Sequence, residues 1–197
     1  MHQKDLSGLK DYLISLKEAG VDAIITSSLY MAMLAINEVH LQAHISTQDS
    51  ILNTSAIKYF SSLGIERVVL ARECSLEDIK NICGQNITQI EVFIHGGMCS
   101  SYSGKCMLSN CMTNRDANRG GCAHSCRWKY DLYDGDSKLN KNNEYFSMAS
   151  KDFNALQFIP DFIEMGVDSL KIEGRMKSLN YIACVCKAYR KCIDDYI

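Results

Sequence analysis

A helix-glycine-strand unit occurs three times in this chain and restricts the fold more than any other feature. The copies read EAGVDAII, SLGIERVVL and EMGVDSLKI, with their glycines at Gly20, Gly64 and Gly166. Glycine favours the left-handed cap that ends a helix, after which a short loop enters a buried strand. Helices and buried strands that alternate in this way are typical of a parallel sheet with right-handed crossovers. The sequence therefore predicts an α/β fold.

The hydrophobic pattern predicts five strands and six helices. The apolar runs that indicate strands cover residues 21–26, 40–47, 67–72, 89–96 and 169–175. The helical patterns cover residues 6–19, 29–37, 53–63, 76–83, 153–165 and 179–196. Five βα units are too few to close an eight-stranded barrel. We therefore expect an incomplete parallel α/β domain over residues 1–197, interrupted by a long insertion over residues 97–150.

Composition and charge limit the function classes. The chain has 197 residues, a formal net charge of −2 and 47% hydrophobic residues, which favours one globular core without a general attraction to nucleic acid. It contains no run of about 18 apolar residues and no apolar segment near its start that would serve as a secretory signal. We therefore expect a cytoplasmic protein without a membrane span.

Half of the ten cysteines lie in the insertion. Cys74, Cys83, Cys184, Cys186 and Cys192 have apolar or helical neighbours and are interpreted as small buried side chains. The other five lie within 28 residues that are rich in glycine: Cys99, Cys106, Cys111, Cys122 and Cys126.

Four of these five have the spacing C-x6-C-x15-C-x3-C. Structural zinc usually uses shorter C-x2-C pairs, whereas wider intervals suit an iron–sulfur cluster, whose sulfides accept hydrogen bonds from nearby backbone amides. Iron–sulfur, zinc and unligated thiols all remain open from the spacing alone.

The segment EVFIHGGMCSSYSGKCMLS, residues 91–109, closely resembles the signature of the U32 peptidase family, the collagenase-like proteases. It departs from the family pattern at Gly97, where serine or alanine is usual. His124 stands where glutamine is more usual. Further similar stretches are HISTQ (44–48), RVVLARECSLEDI (67–79), NRGGCAHSCRWKY (118–130) and SLKIEGRMKS (169–178).

The resemblance implies a TIM-barrel-like domain in which this chain supplies strands four to eight. It also implies oxygen-independent hydroxylation of RNA bases or of a related aromatic precursor such as that of a quinone. Several family members carry a [4Fe–4S] cluster, and the matching positions here are Cys99, Cys106, Cys122 and Cys126. Cys111 matches no ligand position and is interpreted as a bystander.

Polar residues at the predicted strand ends are candidates for contact with substrate, because sites in parallel α/β folds lie there. The candidate catalytic residues are His44, Arg72, Glu73, His95, Glu173 and Arg175. Each arginine guanidinium can donate two parallel hydrogen bonds to one carboxylate or phosphate. The alternative is structural: a hydrogen-bonded network at the barrel mouth, an Arg–Glu pair and a histidine that only packs.

A basic and aromatic group near the cysteines suggests an RNA contact, formed by Arg119, Arg127, Trp128 and Lys129. A solvated loop with scattered charges is the alternative. Three functions are therefore considered: an iron–sulfur protein for hydroxylation that acts on RNA or a small anionic or aromatic substrate, a peptidase, and a zinc-stabilised binding module. We also expect self-association through exposed sheet edges.

Overall fold

A mainly parallel sheet forms the centre of the computed structural model, which describes residues 3–149 and 151–197. The strands in this part of the chain are β1 (Ala23–Thr26), β2 (Gln42–Ile45), β3 (Arg67–Val69), β4 (Gln89–Gly97), β5 (Tyr133–Asp134), β6 (Ser137–Lys138), β7 (Asp152–Asn154) and β8 (Ser169–Ile172). Five of them, in the order β1-β2-β3-β4-β8, pair in parallel. This confirms the predicted α/β fold with a parallel sheet.

Helices connect the parallel strands. They are α1 (Leu9–Glu18), α2 (Leu29–Leu34), α3 (Thr54–Ser62), α4 (Leu76–Cys83), α5 (Leu108–Thr113), α6 (Ile159–Glu164) and α7 (Leu179–Tyr196), and a π-helix over Ala35–Val39 continues α2. Gly20, Gly64 and Gly166 have φ values of 82°, 84° and 76°, the left-handed conformation that their positions predicted.

The two faces of the sheet differ in polarity. Ile45, Val68 and Ile90 pack into one core cluster with Leu13 of α1 and Ile57 of α3. Alternate residues point the other way, so the opposite face carries charged and polar side chains. Successive strand positions on that face are Ile25, His44 and Arg67, followed on β4 and β8 by Gln89, Glu91, Ser169 and Lys171. Ile25 is 52% exposed, so part of this second face lies open.

The insertion leaves the sheet after β4 and returns through β7. It contains α5 and a small antiparallel hairpin of β5 and β6. β7 pairs antiparallel with the end of β4, with Gly97 opposite Asp152 and His95 opposite Asn154. The predicted helix over 153–165 is therefore wrong in its first half, because β4 extends far enough to offer the returning chain a pairing edge. The regular helix in that segment is limited to Ile159–Glu164.

Burial of the isolated cysteines agrees only partly with expectation. Cys83 is buried, and Cys74 and Cys192 are half-buried. Burial raises the pKa of Cys74 and of Cys83 to about 11, so both thiols stay protonated. The prediction is wrong for Cys184 and Cys186, which are exposed because they lie on faces of α7 that do not pack against the core.

The finer architecture stays a prediction. Within the described residues, β1 is hydrogen-bonded to β2 alone. An eight-stranded barrel and self-association through such an edge are neither confirmed nor contradicted. In residues 3–149 and 151–197, no helix has both the length and the apolar character needed to span a bilayer.

Candidate cysteine site at the strand ends

The insertion folds over the carboxyl ends of the strands and borders an open cavity of about 1130 Å³. Thr47, Arg72 and Glu173 line it from segments that follow β2, β3 and β8, where a site in a parallel sheet is expected. All four cysteines of the spaced motif line the same cavity: Cys99, Cys106, Cys122 and Cys126. Cys111 is exposed on α5 and is not among the lining residues, and its interpretation as a bystander stays a prediction.

The four thiols have partly protected surroundings. Cys99 is exposed, whereas the other three are half-buried. The surrounding protein nevertheless raises the pKa of the Cys99 thiol, mainly by desolvation and also through its neighbours Cys106 and Cys126. The sulfur of Cys122 accepts a hydrogen bond from the His124 amide at 3.4 Å. The chain therefore brings soft sulfur donors from two separate segments to one place.

The ends of β2 and β3 hold the segment between Cys99 and Cys106. Glu73 accepts two hydrogen bonds from Ser103, from the amide at 2.8 Å and from the hydroxyl at 3.1 Å. Ser50 donates to the Ser103 carbonyl. Gly104 lies so close to the Gln48 backbone that an added Cβ would collide with the Gln48 carbonyl oxygen. Glu73 thus binds the cysteine segment and is not among the cavity-lining residues.

The end of β8 holds the segment that contains Cys122 and Cys126. Glu173 accepts from Arg72 Nη2 at 2.9 Å through one oxygen, and its other oxygen lies 3.2 Å from His124 Nε2. Arg175 donates to the Gly120 carbonyl. Arg72, Glu173 and Arg175 all line the cavity, so the structure brings these three candidates together beside the thiols.

His44 and His95 lie elsewhere. His44 is buried on β2, and desolvation and the Arg67 charge lower its pKa. His95 Nδ1 lies 3.2 Å from the Tyr189 hydroxyl of α7, and burial lowers its pKa as well. Neither histidine is among the residues that line the cavity.

The residues considered for RNA contact have different environments. Arg127 donates to Asp152 at 2.5 Å, and Arg119 donates to Asp5 at 2.5 Å. Both line the cavity, whereas Trp128 and Lys129 do not. Trp128 is exposed, and the Lys129 ammonium lies 5.1 Å from the centre of the Tyr145 ring.

A buried carboxylate on the sheet was not among the predicted site residues. Glu91 accepts from Lys171 at 2.7 Å and from Ser169 at 3.1 Å, and Arg67 lies 3.6 Å away. Burial acts to raise the pKa of Glu91, but these partners outweigh it and lower the pKa. The signal in the sequence was a glutamate in the middle of an otherwise apolar strand. Lys171 also lines the cavity and lies 5.6 Å from the Phe93 ring centre.

The lining is rich in cations although the whole chain has a net charge of −2. Its charged side chains are Arg72, Arg119, Arg127, Lys171 and Arg175 against Asp5 and Glu173. Glu91 and Asp152 lie just outside the lining and bind Lys171 and Arg127, so the excess of positive charge is small. Attraction for anions rests on the arginine forks, which suit phosphates and carboxylates.

The residues fit an iron–sulfur cluster by their donor type. Four thiols face one cavity, and Ser125 beside them is 1% exposed, with an Oγ that has no hydrogen-bond partner in the described part of the chain. Buried hydroxyls normally have a partner, so a sulfur acceptor in the cavity would satisfy this one.

The side-chain positions do not distinguish a cluster from a single ion. Among residues 3–149 and 151–197, no group of three or more His, Cys, Asp or Glu side chains is placed to hold one. Zinc gathers its sulfur ligands about 2.3 Å from one centre, whereas a cluster distributes them over several irons.

Comparison with known proteins gives the family. The sequence profile described as peptidase family U32 matches residues 1–197. The chain belongs to peptidase family U32. This confirms the relationship that the segment at residues 91–109 predicted.

The curated relatives that match this chain have names that refer to different activities. The chain is 46% identical to the tRNA hydroxylation protein P1 of Bacillus subtilis over 99% of its own length and 48% of that protein. It is 35% identical to a Collagenase of Porphyromonas gingivalis, covering 100% of the chain and 50% of the relative. It is 34% identical to the 23S rRNA 5-hydroxycytidine C2501 synthase of Escherichia coli, covering 100% and 30% respectively.

The chain thus spans about half the length of the first two relatives and less of the third. No solved structure matches the chain. The family is established by these comparisons, while activity, substrates and partners of the whole protein are matters for proposal.

Proposed function

We propose that this U32 chain is part of an iron–sulfur protein that supports oxygen-independent hydroxylation of RNA bases, in tRNA or rRNA. The observation that carries the proposal is the convergence of Cys99, Cys106, Cys122 and Cys126 on one cavity at the strand ends. The relatives named for tRNA hydroxylation and for 5-hydroxycytidine synthesis support it. We keep the cytoplasmic location as part of the same proposal.

The four cysteines would hold a [4Fe–4S] cluster, which supplies one-electron redox chemistry when bound. Arg72 and Arg175 are placed beside them to bind an anionic group of the substrate or of a reaction partner. Arg72 is held over the Phe93 ring, 3.8 Å from its centre, and its Nη2 is bound to Glu173. This pairing fixes the guanidinium and lowers the entropy cost of binding an anion.

Aromatic side chains at the surface suit unpaired bases. Tyr102 lines the cavity and is 72% exposed. Trp128, which follows Cys126 closely in the sequence, is also exposed. Stacking on such rings stabilises single-stranded nucleic acid by about 1–3 kcal/mol per base. The basic side chains that line the cavity would bind the phosphates. The net charge of the whole chain does not reveal this local group of cations.

A small aromatic precursor is the second candidate substrate. A further cavity of about 210 Å³ is lined mainly by apolar side chains, among them Phe153, Phe158 and Phe162, and shares Arg72, Phe93 and Met98 with the large one. An apolar pocket that adjoins a cationic one suits a ring bearing an anionic group. This observation keeps that substrate class beside RNA.

Comparison of nucleosides tests the proposal. Total tRNA and rRNA from a strain lacking the gene should lack a nucleoside that is heavier by one oxygen, as measured by mass spectrometry. The full-length gene should restore this nucleoside, and its Cys99→Ser variant should not. Unchanged RNA together with cleavage of collagen-like peptides by the purified protein would instead favour the peptidase.

Metal analysis separates the third function. Anaerobically purified full-length protein should contain iron and acid-labile sulfide with visible absorption typical of a cluster. Zinc without sulfide would favour the zinc-stabilised binding module and would contradict our proposal.

A further inference from the structure

One arginine joins the two segments that carry the first and last cysteines of the site. Arg127 directly follows Cys126, and its Nη2 donates to the carbonyl of Met98 at 3.5 Å. Met98 directly precedes Cys99. The Nη1 of the same guanidinium donates to Asp152 Oδ1 at 2.5 Å. Arg127 therefore connects both cysteine segments to β7.

The packing around Arg127 is close. A Cβ on Gly97 would lie 2.8 Å from Nη2, so the guanidinium rests against the bare backbone at the end of β4. The side chains of Arg127 and Asp152 are 22% and 24% exposed. Ion pairs that are this protected lose less to solvent screening than surface pairs do.

Asp152 is anchored independently of Arg127. Its second oxygen accepts from Lys177 Nζ at 2.5 Å and from the Tyr181 hydroxyl at 2.8 Å. Its backbone lies opposite Gly97 in the pairing of β7 with β4. Burial acts to raise the pKa of Asp152, but the hydrogen bonds from Lys177, Arg127 and Tyr181 outweigh it and hold the pKa well below its usual range. The carboxylate is therefore a fixed, charged anchor.

We propose that Asp152 is a positioning residue for the cysteine site, because through Arg127 it fixes the segments of Cys99 and Cys126 relative to each other. This inference rests on the proposed function, because the predicted effect is on how tightly the four thiols hold the group that they bind. Ligands that are held in place before binding pay less entropy on binding, and partners of metal ligands typically change metal affinity about 10–100-fold.

The test compares variants of the anaerobically purified full-length protein. Asp152→Asn keeps the shape and removes the charge that holds Arg127. Lys177→Met is the matched control, because it removes another partner of the same carboxylate and leaves the Arg127 contact in place. Iron and sulfide per chain, release of iron to a chelator and the electron paramagnetic resonance spectrum of the reduced protein are measured.

Asp152→Asn should release iron about tenfold faster than the wild type and show an altered resonance spectrum. Lys177→Met should change both much less, because Arg127 and Tyr181 still bind the Asp152 carboxylate. Equal effects of the two variants would mean that Asp152 acts through general stability, and would overturn the proposal.

Arg127→Lys separates geometry from charge. Lysine keeps the positive charge but has a single nitrogen, so it cannot bind Asp152 and the Met98 carbonyl with the same planar fork. It should therefore behave as poorly as Arg127→Gln, and adding Asp152→Asn to Arg127→Gln should cause no further loss. Full rescue by lysine would show that only charge matters and would contradict the inference.

Amide hydrogen exchange distinguishes failure of this inference from failure of the proposed function. If the wild type binds no iron, the proposed function fails. Exchange over residues 98–101 and 124–128 then still tests the tether, meaning the contacts of Arg127 with Asp152 and with the Met98 carbonyl. Faster exchange there in Asp152→Asn than in Lys177→Met supports the tether, since local opening follows the loss of local contacts. Equal exchange in both variants overturns it.

Discussion

Glu173 Oε2 accepts a hydrogen bond from Arg72 Nη2 at 2.9 Å, although 101 positions separate the two residues in the chain. The other Glu173 oxygen lies 3.2 Å from His124 Nε2. In the sequence, His124 lies between Cys122 and Cys126. One carboxylate after β8 therefore links the end of β3 to the cysteine-bearing insertion. The sequence left open whether Arg72 and Glu173 bind substrate or each other, and their pairing still leaves both at the cavity.

Replacing Glu173 with Gln should lower the free energy of unfolding by about 1–3 kcal/mol, because Arg72 loses a charged partner in a partly buried setting. Urea denaturation measures this change. Asp194→Asn is the control, since its pair with Arg190 on α7 is about 60% exposed and should contribute less than about 0.5 kcal/mol. Equal losses for the two variants would contradict the role given to Glu173.

Loss of a thiol ligand should abolish iron binding. Cys99→Ser and Cys106→Ser in the full-length protein each replace a soft sulfur donor with a hard oxygen and should leave little or no iron per chain. Cys184→Ser is the control, because this cysteine is exposed on α7, away from the residues lining the cavity. Iron and sulfide analysis measures the outcome, and equal iron in all three variants would refute the ligand assignment.

Local signals predicted much of the fold. The bounds of α4 and α7 agree with the sequence pattern because Ser75 and Ser178 cap their first turns. The three glycines adopt the left-handed conformation expected after a helix. β7 could not be predicted, since its pairing depends on how far β4 extends, and β4 lies more than 50 positions earlier in the chain.

The spacing and the family resemblance singled out four cysteines, and all four line the cavity, while their role as cluster ligands stays a prediction. The contacts that support the cysteine segments were only partly predictable. The sequence does not reveal that Glu73 binds Ser103, or that Arg127 joins Met98 to Asp152, because these contacts form only when the insertion folds back onto the sheet. The same limit applies to Glu91, whose partners come from two other strands.

Stability should depend on the ionisation of Asp49. Burial raises the pKa of Asp49 from 3.8 to about 6 against a smaller opposing effect of Lys105, and Oδ2 has no hydrogen-bond partner among the described residues. The folded state thus holds this proton more tightly than the unfolded state. Stability is therefore highest below about pH 4, where Asp49 is neutral in both states, and it falls as the pH rises from about 4 through about 6 and the buried carboxyl ionises.

Asp49→Asn should therefore stabilise the protein by about 1–2 kcal/mol near pH 8, a value reduced for partial exposure, and should have little effect near pH 4. Denaturation curves at both pH values measure the difference. Asp134→Asn in the exposed hairpin is the control and should change stability by less than about 0.5 kcal/mol at either pH. A gain for Asp49→Asn that is equal at the two pH values would contradict this explanation.

The close approach of Gly104 to the turn that follows β2 should be sensitive to a single methyl group. Gly104 has a φ of 72°, and an added Cβ would collide with the Gln48 carbonyl oxygen, which belongs to the backbone and cannot rotate away. Gly135 in the hairpin also has a positive φ, of 56°, but has nothing within 4 Å of the same position. Alanine at either site therefore incurs the strain of the left-handed conformation, about 1–2 kcal/mol, and only Gly104→Ala adds a collision.

We expect Gly104→Ala to lower the free energy of unfolding by about 1–3 kcal/mol more than Gly135→Ala, the cost typical of overpacking. Because the displaced segment lies between Cys99 and Cys106, Gly104→Ala should also release iron faster, whereas Gly135→Ala should leave release unchanged. Urea denaturation and chelator kinetics on the two full-length variants measure both effects. If the two variants lose the same stability, the contact between Gly104 and Gln48 does not hold the cysteine segment, and the role of the turn after β2 in supporting the site would have to be abandoned.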